Sequence, residues 1–334
     1  MPSPVLSARA ARALPVALLC AACGTVPIRV PVMRPAEINM VAYQSVAVGE
    51  MRGGRGTTVM GDSLEEALLG TNRFQVLDRQ HMNSIMRELS LSASDLADPS
   101  KAAKLGKVMT AGALIYGDVD EQYREVPSED RIKNKDGTTV LLYKLRGEFR
   151  TRATFKIVDV ATGRLIIAKT YEERRDDTNT GYGKRPEPID RDSLERAARH
   201  GVLDRFMRAI VPHQEYVTAS FQKDSDIPQL EGGIGWAERG EWKKAQSTFS
   251  QAVADGQKNP KIKSEQLAKA YWNLGLAYEY AGEYDSANAT VQKAYELSND
   301  KDMLRELDNI KRLQDEARRV SEQTAAAPGV GGGQ

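Results

Sequence analysis

The second half of the chain contains an internal repeat, which restricts its fold more than any other feature. Six positions between residues 233 and 252 recur 42 residues later with the same small or large character. Small residues at fixed offsets let two antiparallel helices approach closely, while large residues fill the space between neighbouring helix pairs. The copies are Gly233, Trp236, Gly240, Ala245, Phe249 and Ala252, then Gly275, Tyr278, Gly282, Ala287, Val291 and Ala294. The repeat predicts stacked helical hairpins.

The offsets within each copy resemble those of the tetratricopeptide repeat, whose usual period is about 34 residues. The longer period here requires an insertion of about eight residues, which we place in a loop at 256–264. The second copy, which begins at Tyr271, is the stronger match, because Gly232 replaces a usual leucine in the first copy. This resemblance implies a repeat module that binds proteins or peptides.

Apolar residues at helical spacing over 301–322 predict a helix that caps the last repeat. The repeat domain with its cap is therefore expected over 226–322. Residues 323–334 have no apolar pattern, which predicts a disordered tail. On the concave face of the repeats, the residues expected to contact a periplasmic protein or peptide partner are Tyr271, Asn273 and Tyr280.

The N-terminus has the pattern of a secretory signal peptide over residues 1–22. Arg9 and Arg12 precede an apolar run at 13–22, which is too short to cross a bilayer. Small residues end this run, as the processing site of such a signal requires. The signal predicts an exported protein from which these residues are removed.

The sequence around Cys23 resembles the lipobox of bacterial lipoproteins. Ala21 and Ala22 come directly before this cysteine and Gly24 follows it, while Cys20 stands where a lipobox usually has leucine. The resemblance implies cleavage before Cys23, acylation of its sulfur and new amino group, and outer-membrane sorting by Gly24. The alternative is a plain signal peptide with a chance cysteine. Residues 23–39, rich in proline, are then expected to be an extended, lipidated tether.

Charge and cysteine content exclude several classes of protein. The chain has 47 Lys and Arg against 46 Asp and Glu. A near-neutral chain lacks the diffuse positive field that gives nucleic-acid-binding proteins their affinity, so we expect no nucleic-acid partner. Both cysteines, Cys20 and Cys23, lie within the first 23 residues, so the rest of the chain has no thiol for a disulfide, a metal site or a nucleophile.

Alternating strand and helix patterns predict an α/β domain over 40–213. The predicted strands cover 45–48, 74–77, 113–123, 140–160 and 164–174. The predicted helices cover 58–69, a segment after Asp78, 98–109 and 193–211. The expected fold class is therefore an α/β domain followed by an all-α repeat domain.

A glycine-rich segment at 49–57 is predicted as a turn between a strand and a helix, where a phosphate-binding loop would lie. A P-loop needs lysine after its last glycine to reach the phosphates, but here Arg55 and Gly56 follow Gly54. We therefore expect a surface loop whose Arg52 and Arg55 meet a partner or solvent. No catalytic residue, cofactor or metal site is expected: the three histidines have no partner ligand at metal-binding spacing, and no nucleophile-elbow motif occurs.

The strand at 140–160 alternates apolar odd positions with charged even positions over an unusual length. Such a strand can belong to a sheet covered by helices, or it can place its apolar face in lipid and its charges in a membrane pore. The flanking segments, 121–139 and 172–189, each carry nine charges. Their charge favours the covered sheet, but both alternatives stay open at this stage.

Several motifs of the α/β domain together match a known pattern. They are Val46-Ala47-Val48-Gly49, Arg73 to Arg79, Leu89 to Ser92, Asp98-Pro99, Ala103 to Lys107 and Ala111 to Gly117. Through these motifs the domain resembles the CsgG family of curli-secretion lipoproteins, which share a fold with the N-terminal domain of TolB and with lipoprotein activators of peptidoglycan synthases. The resemblance implies an α/β domain on a lipid anchor. The secretion member of the family forms a ring whose subunits each donate two amphipathic hairpins to an outer-membrane channel; this chain has charged segments at those places.

These features together predict a non-enzymatic lipoprotein, anchored to the outer membrane and facing the periplasm. We expect it to act as a scaffold or assembly factor for envelope or secretion machinery, alone or as a homo-oligomer. One alternative is a subunit of a CsgG-like oligomeric secretion channel. A second alternative is a nucleotide- or phosphate-binding enzyme that uses Arg52 or Arg55.

Overall fold

The computed structural model describes residues 24–54, 56–77 and 112–325, together with isolated positions between 84 and 101. The chain divides into two compact units. We call residues 33–215 with 315–334 the sheet unit, and residues 1–32 with 216–314 the repeat unit. The signal peptide, Cys23 and most of the tail lie outside the described residues, as do the helices expected after Asp78 and at 98–109.

A five-stranded mixed sheet forms the centre of the sheet unit. Its strand order is β3-β2-β4-β5-β6, with β2 parallel to β3 and β4, and with antiparallel pairing of β4 to β5 and of β5 to β6. The strands are β2 (Ser45–Gly53), β3 (Gln75–Leu77), β4 (Ala113–Lys133), β5 (Thr139–Asp159) and β6 (Leu165–Tyr182). The predicted α/β class is confirmed for this unit.

Two helices cover one face of this sheet. Helix α1 (Thr57–Gly70) buries Met60, Leu64 and Leu68. Asp190 is the N-cap of helix α2 (Arg191–Ile210), and its carboxylate accepts a hydrogen bond from the Ser193 main-chain N–H. Phe206 of α2 stacks on Phe155 of β5 with ring centroids 4.2 Å apart. The odd-numbered apolar face of β5 is thus covered by a helix at this position, as the covered-sheet alternative requires.

Two expectations for the strands are corrected by the structure. Residues 124–139, which lie between two of the predicted strands, continue β4 to Lys133 and turn into β5, because every residue from 113 to 133 pairs with β5. The glycine-rich segment is also more regular than expected. Strand β2 continues to Gly53 because Met51, Arg52 and Gly53 pair with β4 after a bulge that follows Val48.

The expected tether is also corrected, because strand β1 (Thr25–Arg34) lies within residues 23–39. It pairs with β7 (His213–Gln222) in a two-stranded sheet. Ile28 and Val30 of β1 are buried in the same apolar cluster as Phe221 of β7 and the repeat helices. Burial of this alternating face stabilises the strand, and a two-stranded sheet tolerates the prolines because both strands are edge strands.

The repeat unit contains two helical hairpins and the beginning of a long final helix. The helices are α3 (Gln229–Ala237), α4 (Trp242–Lys258), α5 (Ser264–Tyr280), α6 (Tyr284–Ser298) and α7 (Lys301–Thr324). The expected insertion at 256–264 includes the last turn of α4 and the connection to α5. Met303 and Ile310 of α7 are buried in the repeat core, and Leu307 packs against it. Among the described helices, none combines the length and the apolar character that a membrane crossing needs.

Candidate functional site

The helical hairpins depend on two close approaches that the repeat pattern predicted. A Cβ atom added at Gly275 of α5 would lie 2.4 Å from the Val291 side chain of α6. A Cβ atom at Gly233 of α3 would lie 2.2 Å from the Phe249 ring of α4. Only glycine permits these contacts without displacement of the neighbouring side chain. Each copy therefore has a glycine at the equivalent position, Gly233 in the first and Gly275 in the second, that lets its two helices approach closely.

Asn273, expected as a partner contact, is not available to a partner. Its side chain is fully buried. The Asn273 Oδ1 atom accepts a hydrogen bond from the Gln222 main-chain N–H at 2.8 Å, and the Asn273 amide donates to the Gln222 carbonyl at 2.7 Å. Asn273 recognises an extended strand, but that strand is β7 of the same chain. We therefore withdraw it as a partner contact.

Neighbouring side chains of α5 hold the same segment. The Trp272 indole N–H donates to the Ser220 carbonyl at 2.8 Å, and Lys269 forms an ion pair with Asp224 at 2.7 Å. Desolvation opposes ionisation of Asp224, but the Lys269 bond and other hydrogen bonds outweigh it and lower the pKa of Asp224. This face of α5 is occupied by the end of β7 and the loop after it, so partner contact must involve another surface.

Tyr271 lies on a different side of α5 and is half-buried. Its hydroxyl accepts a hydrogen bond from the Gln257 side chain at 2.8 Å, and the Lys293 ammonium lies 6.0 Å from its ring centroid. The ring connects α4, α5 and α6 at the edge of the repeat core. Tyr271 thus keeps a partly exposed face, and its role as a partner contact stays a prediction.

Tyr280 belongs to a group of aromatic residues around the two hairpin turns. Its ring lies 5.6 Å from that of Trp242 at the start of α4. Trp236 at the end of α3 has Lys244 and Arg239 above its ring, at 4.7 and 5.6 Å. These three aromatic residues are half-buried, and the two cations are exposed. We name Trp236, Trp242, Tyr280, Arg239 and Lys244 the turn surface.

The repeat unit also buries a carboxyl group that sequence patterns did not indicate. Glu279 of α5 is 1% exposed, and its Oε2 atom has no hydrogen-bond partner within the described residues. Burial, together with the nearby Glu306 carboxyl, raises the pKa of Glu279 to about 9. Asn309 donates to Glu306 at 2.7 Å and approaches Glu279 at 3.5 Å. Glu279 therefore stays protonated at neutral pH. No single-helix pattern could reveal it, because Glu306 comes from α7.

The remaining predicted site residues are Arg52, Arg55 and Cys23, and the histidines are the residues weighed as metal ligands. Arg52 lies on β2, where its guanidinium forms an exposed ion pair with Asp118 of β4 at 3.3 Å. Arg55 and Cys23 lie outside the described residues. His213 begins β7, with its Nδ1 atom 3.4 Å from the Val211 carbonyl, and His200 lies on α2. Across the residues described, no three His, Cys, Asp or Glu side chains are grouped as metal ligands.

The outer half of the β4–β5–β6 sheet has charges on both faces. On the even-numbered face, cross-strand ion pairs join Lys144 to Asp130 and Arg124 to Glu148. On the odd-numbered face, Tyr143 of β5 pairs with Glu129 of β4 and with Gly181 of β6. Further odd-numbered neighbours of β5 are Glu125, Arg131, Arg175 and Asp177. The apolar face that the sequence showed in β5 alone is therefore flanked by charged residues.

Two family models match this chain. Residues 36–184 match the family described as curli production assembly/transport component CsgG. Residues 237–300 match the tetratricopeptide repeat. These matches confirm both resemblances that the sequence motifs indicated, and they agree with a sheet domain followed by helical repeats. No curated protein matches the chain.

Several solved structures are similar to part of the chain. Lipoprotein GNA1162 from Neisseria meningitidis is 14% identical and covers 48% of this chain and 96% of its own, with a TM-score of 0.28. The LpoB C-terminal domain from Salmonella enterica is 17% identical over 39% and 81% of the two chains, with a TM-score of 0.23. The PelC dodecamer from Paraburkholderia phytofirmans is 13% identical over 55% and 98%, with a TM-score of 0.22.

Proposed function

We propose that this chain, in which a CsgG-family domain is joined to a tetratricopeptide repeat module, is a periplasmic scaffold or assembly factor of the bacterial envelope. The family match supports an envelope-associated protein, and the repeat match supports binding of other proteins. The partner belongs to envelope or secretion machinery. The CsgG family forms oligomers, so self-association is part of the proposal.

The turn surface carries the proposal. Trp, Tyr and Arg are the side chains most enriched where proteins bind each other, because they combine large apolar area with hydrogen-bonding groups. Trp236, Trp242 and Tyr280 are held by the repeat core and keep partly exposed faces beside Arg239 and Lys244. We infer that this surface binds a protein segment that offers apolar and acidic side chains.

The anchor belongs to the same proposal. Acyl chains on Cys23 would hold the chain on a membrane, since each buried CH₂ group contributes about 0.8 kcal/mol. The first described residue after this cysteine, Gly24, accepts a hydrogen bond from Lys223 through its carbonyl. The acyl chains would thus lie close in sequence to the start of strand β1. Placement at the outer membrane rests on Gly24 in the lipobox.

We also propose that the chain is not an enzyme. Of the two arginines in the glycine-rich segment, the structure describes Arg52, which lies on a regular strand and pairs with Asp118. The sequence of the adjacent loop has no lysine at the position that would reach phosphates in a P-loop. The enzymatic alternative would require turnover that replacement of Arg52 or Arg55 abolishes.

One observation favours the channel alternative. Strands β4 and β5 are each 21 residues long and pair without interruption to their turn. Such a hairpin is long enough to cross a bilayer. The charges that flank β5 on its apolar face favour the scaffold, because each charged side chain placed in lipid costs several kcal/mol.

Site-specific photocrosslinking in living cells tests the scaffold. A photoreactive residue at position 242 or 280 should give the same discrete adduct with one envelope protein. The matched control is position 292, an exposed glutamine on α6 away from the turn surface. Absence of adducts at 242 and 280, or an equal adduct at 292, would contradict a partner at the turn surface.

A further inference from the structure

The sheet unit contains a basic pocket that no family resemblance explains. It is a cavity of about 450 Å³ between the segment after β1, strand β6, helix α2 and the end of helix α7. We define the basic pocket by five of its lining residues: Arg34, Lys169, Tyr171, Arg205 and Arg319. All of them belong to the sheet unit.

Within the part of the chain that the structure describes, two of the positive charges in the basic pocket have no carboxylate partner. The Arg205 guanidinium donates to the Glu172 main-chain carbonyl at 3.1 Å and lies 5.4 Å from the Tyr171 ring centroid. The Arg319 guanidinium donates to the Ala36 carbonyl at 3.3 Å. Main-chain carbonyls accept hydrogen bonds but carry no net charge, so both guanidinium groups keep their full attraction for an anion.

The other two cations are paired, but not equally firmly. Arg34 is mostly buried and forms ion pairs with Glu215, at 2.8 Å, and with Glu316. Lys169 pairs with Glu37, whose side chain is 58% exposed. An exposed ion pair contributes little stability because water competes with both groups. Glu37 can therefore leave Lys169 to a stronger anion at low cost.

Tyr171 supplies an independent sign of a ligand. It is 8% exposed, and its ring packs near Phe155 and Phe206 at centroid distances of 6.3 and 6.4 Å. Its hydroxyl is buried and has no hydrogen-bond partner among the described residues. A buried hydroxyl without a partner destabilises a fold, and natural structures usually satisfy it with an acceptor. Tyr171 lines the same cavity as the two unneutralised guanidinium groups.

We propose that the basic pocket binds a phosphate group carried by a phosphate ester. Lys169, Arg205 and Arg319 come from three elements, β6, α2 and α7, and so approach a ligand from different directions. Three non-bridging oxygens of a phosphate monoester can accept from three such donors, whereas both oxygens of a carboxylate lie in one plane. Arg205 and Arg319 attract the phosphate by their charge. Lys169 leaves its ion pair with Glu37 and binds the phosphate instead. The Tyr171 hydroxyl donates a hydrogen bond to a phosphate oxygen.

The phosphate could belong to a soluble ester or to a lipid headgroup, and binding measurements separate these sources. The protein is the mature chain with Cys23→Ser, which removes the lipid anchor. One arm titrates it calorimetrically with inorganic phosphate and glycerol phosphate, with acetate as the carboxylate comparison. The other arm measures cosedimentation with vesicles that contain phosphatidic acid, whose headgroup is a phosphate monoester, with phosphatidylcholine vesicles for comparison. Binding in the first arm identifies a soluble ester, and binding in the second arm alone identifies a headgroup.

Four variants assign the binding to the pocket. The double variant Arg205→Gln with Arg319→Gln should weaken binding about tenfold or more, since two charge-assisted bonds are lost. Tyr171→Phe, which removes only the hydroxyl, should weaken it severalfold. Glu37→Gln should strengthen it, because the competing carboxylate is gone. Arg196→Gln, an exposed arginine on α2 that does not line the basic pocket, is the control.

The outcomes decide the proposal. Weaker binding in the double variant, with no loss in Arg196→Gln and a gain in Glu37→Gln, supports it. No saturable binding in either arm, binding of acetate as strong as that of phosphate, or an equal loss in Arg196→Gln overturns it. Circular dichroism of each variant confirms that the fold is retained. The pocket variants change no residue of the repeat unit, so the result is independent of the scaffold proposal.

Discussion

At the scale of single residues, Glu279 shows how a buried side chain makes stability depend on pH. The ordinary pKa of glutamate is 4.5, whereas burial beside Glu306 raises that of Glu279 to about 9. Between these values the unfolded chain releases a proton that the folded chain keeps. The folded state binds more protons, so this residue lowers the free energy of unfolding as the pH rises from 4.5 towards 9.

Replacement of Glu279 by Gln should remove this dependence. The amide is neutral at every pH and can donate to Glu306, so we expect a stabilisation of up to about 5 kcal/mol at pH 8 and almost none at pH 4. Urea unfolding of the two proteins at several pH values measures it. Glu296→Gln, at an exposed position of α6, should change stability little at any pH. A constant difference between E279Q and the parent protein across the pH range would contradict the raised pKa.

Cys23 carries a second prediction at this scale. Cys23→Ala should abolish acyl labelling and release the protein from the membrane fraction, because the lipobox resemblance implies that this thiol carries the first acyl chain. Metabolic labelling with an alkyne fatty acid and membrane fractionation measure both effects. Cys20→Ala is the matched control, since the removed signal peptide contains Cys20. Acyl labelling that persists without Cys23 would refute the lipobox assignment.

Asn273 shows where prediction from sequence stopped. The repeat pattern correctly identified a helix whose asparagine can bond to an extended main chain. It could not identify that main chain, because Gln222 is 51 residues away and belongs to a strand outside the repeat. A side chain that the sequence suggests for binding a partner can thus be engaged in hydrogen bonds within its own chain, as Asn273 is. Tyr280, which was also predicted as a partner contact, lies at the hairpin turns and keeps a partly exposed face.

At the scale of elements, the pairing of α5 with α6 depends on Gly275. The α-carbon of Gly275 faces Val291, and an added Cβ atom would come within 2.4 Å of that side chain. Gly275→Ala should therefore destabilise the repeat unit by about 1–3 kcal/mol, as overpacking of a core usually does. Chemical denaturation monitored by circular dichroism measures the change.

Two further variants separate steric overlap from helix propensity. The double variant Gly275→Ala with Val291→Ala should recover part of the loss, because the smaller residue makes room for the new methyl group. Gly235→Ala is the control on α3, where an added Cβ atom meets no atom within 4 Å. It should be neutral or stabilising by up to about 1 kcal/mol. If G275A were as harmless as G235A, the close approach would not exist.

The strands show why elements differed in how well they could be predicted. The β5 alternation is readable because helix α2 covers one face near Phe149 and Phe155. The outer half of β4 has no such alternation, since nearly all of its residues from Arg124 to Lys133 are exposed, and its regularity comes from pairing with β5. Strand β1 was missed for a similar reason: its partner β7 is about 180 residues away in the chain. A strand that is stabilised mainly by pairing with a distant segment shows little alternation in its own sequence, so it is hard to predict from that sequence.

At the scale of the whole molecule, the β4–β5–β6 sheet distinguishes the scaffold from the channel. In a channel, the odd-numbered face of these strands would meet lipid and the even-numbered face would meet water. In the structure, Glu129 lies opposite Tyr143 on the odd face, and Ser128 lies opposite Lys144 on the even face. Both Glu129 and Ser128 are exposed. The channel hypothesis therefore predicts that water reaches Ser128 but not Glu129, whereas the scaffold hypothesis predicts that water reaches both.

Single introduced cysteines can measure this access because the chain has two cysteines of its own. Under the proposed lipobox, Cys20 is removed with the signal peptide and the Cys23 thiol is blocked by acylation. In osmotically opened cells, Ser128→Cys and Glu129→Cys should react with a membrane-impermeant maleimide at similar rates if the sheet lies in the periplasm. Ala198→Cys, at a fully buried position of α2, should stay unlabelled. Protection of Glu129→Cys with full labelling of Ser128→Cys would instead place the odd face in lipid and make the channel the better account. Similar labelling leaves the long hairpin as a surface in the periplasm, where charges on both faces cost nothing in desolvation and help keep the exposed edge of β6 from pairing with other chains.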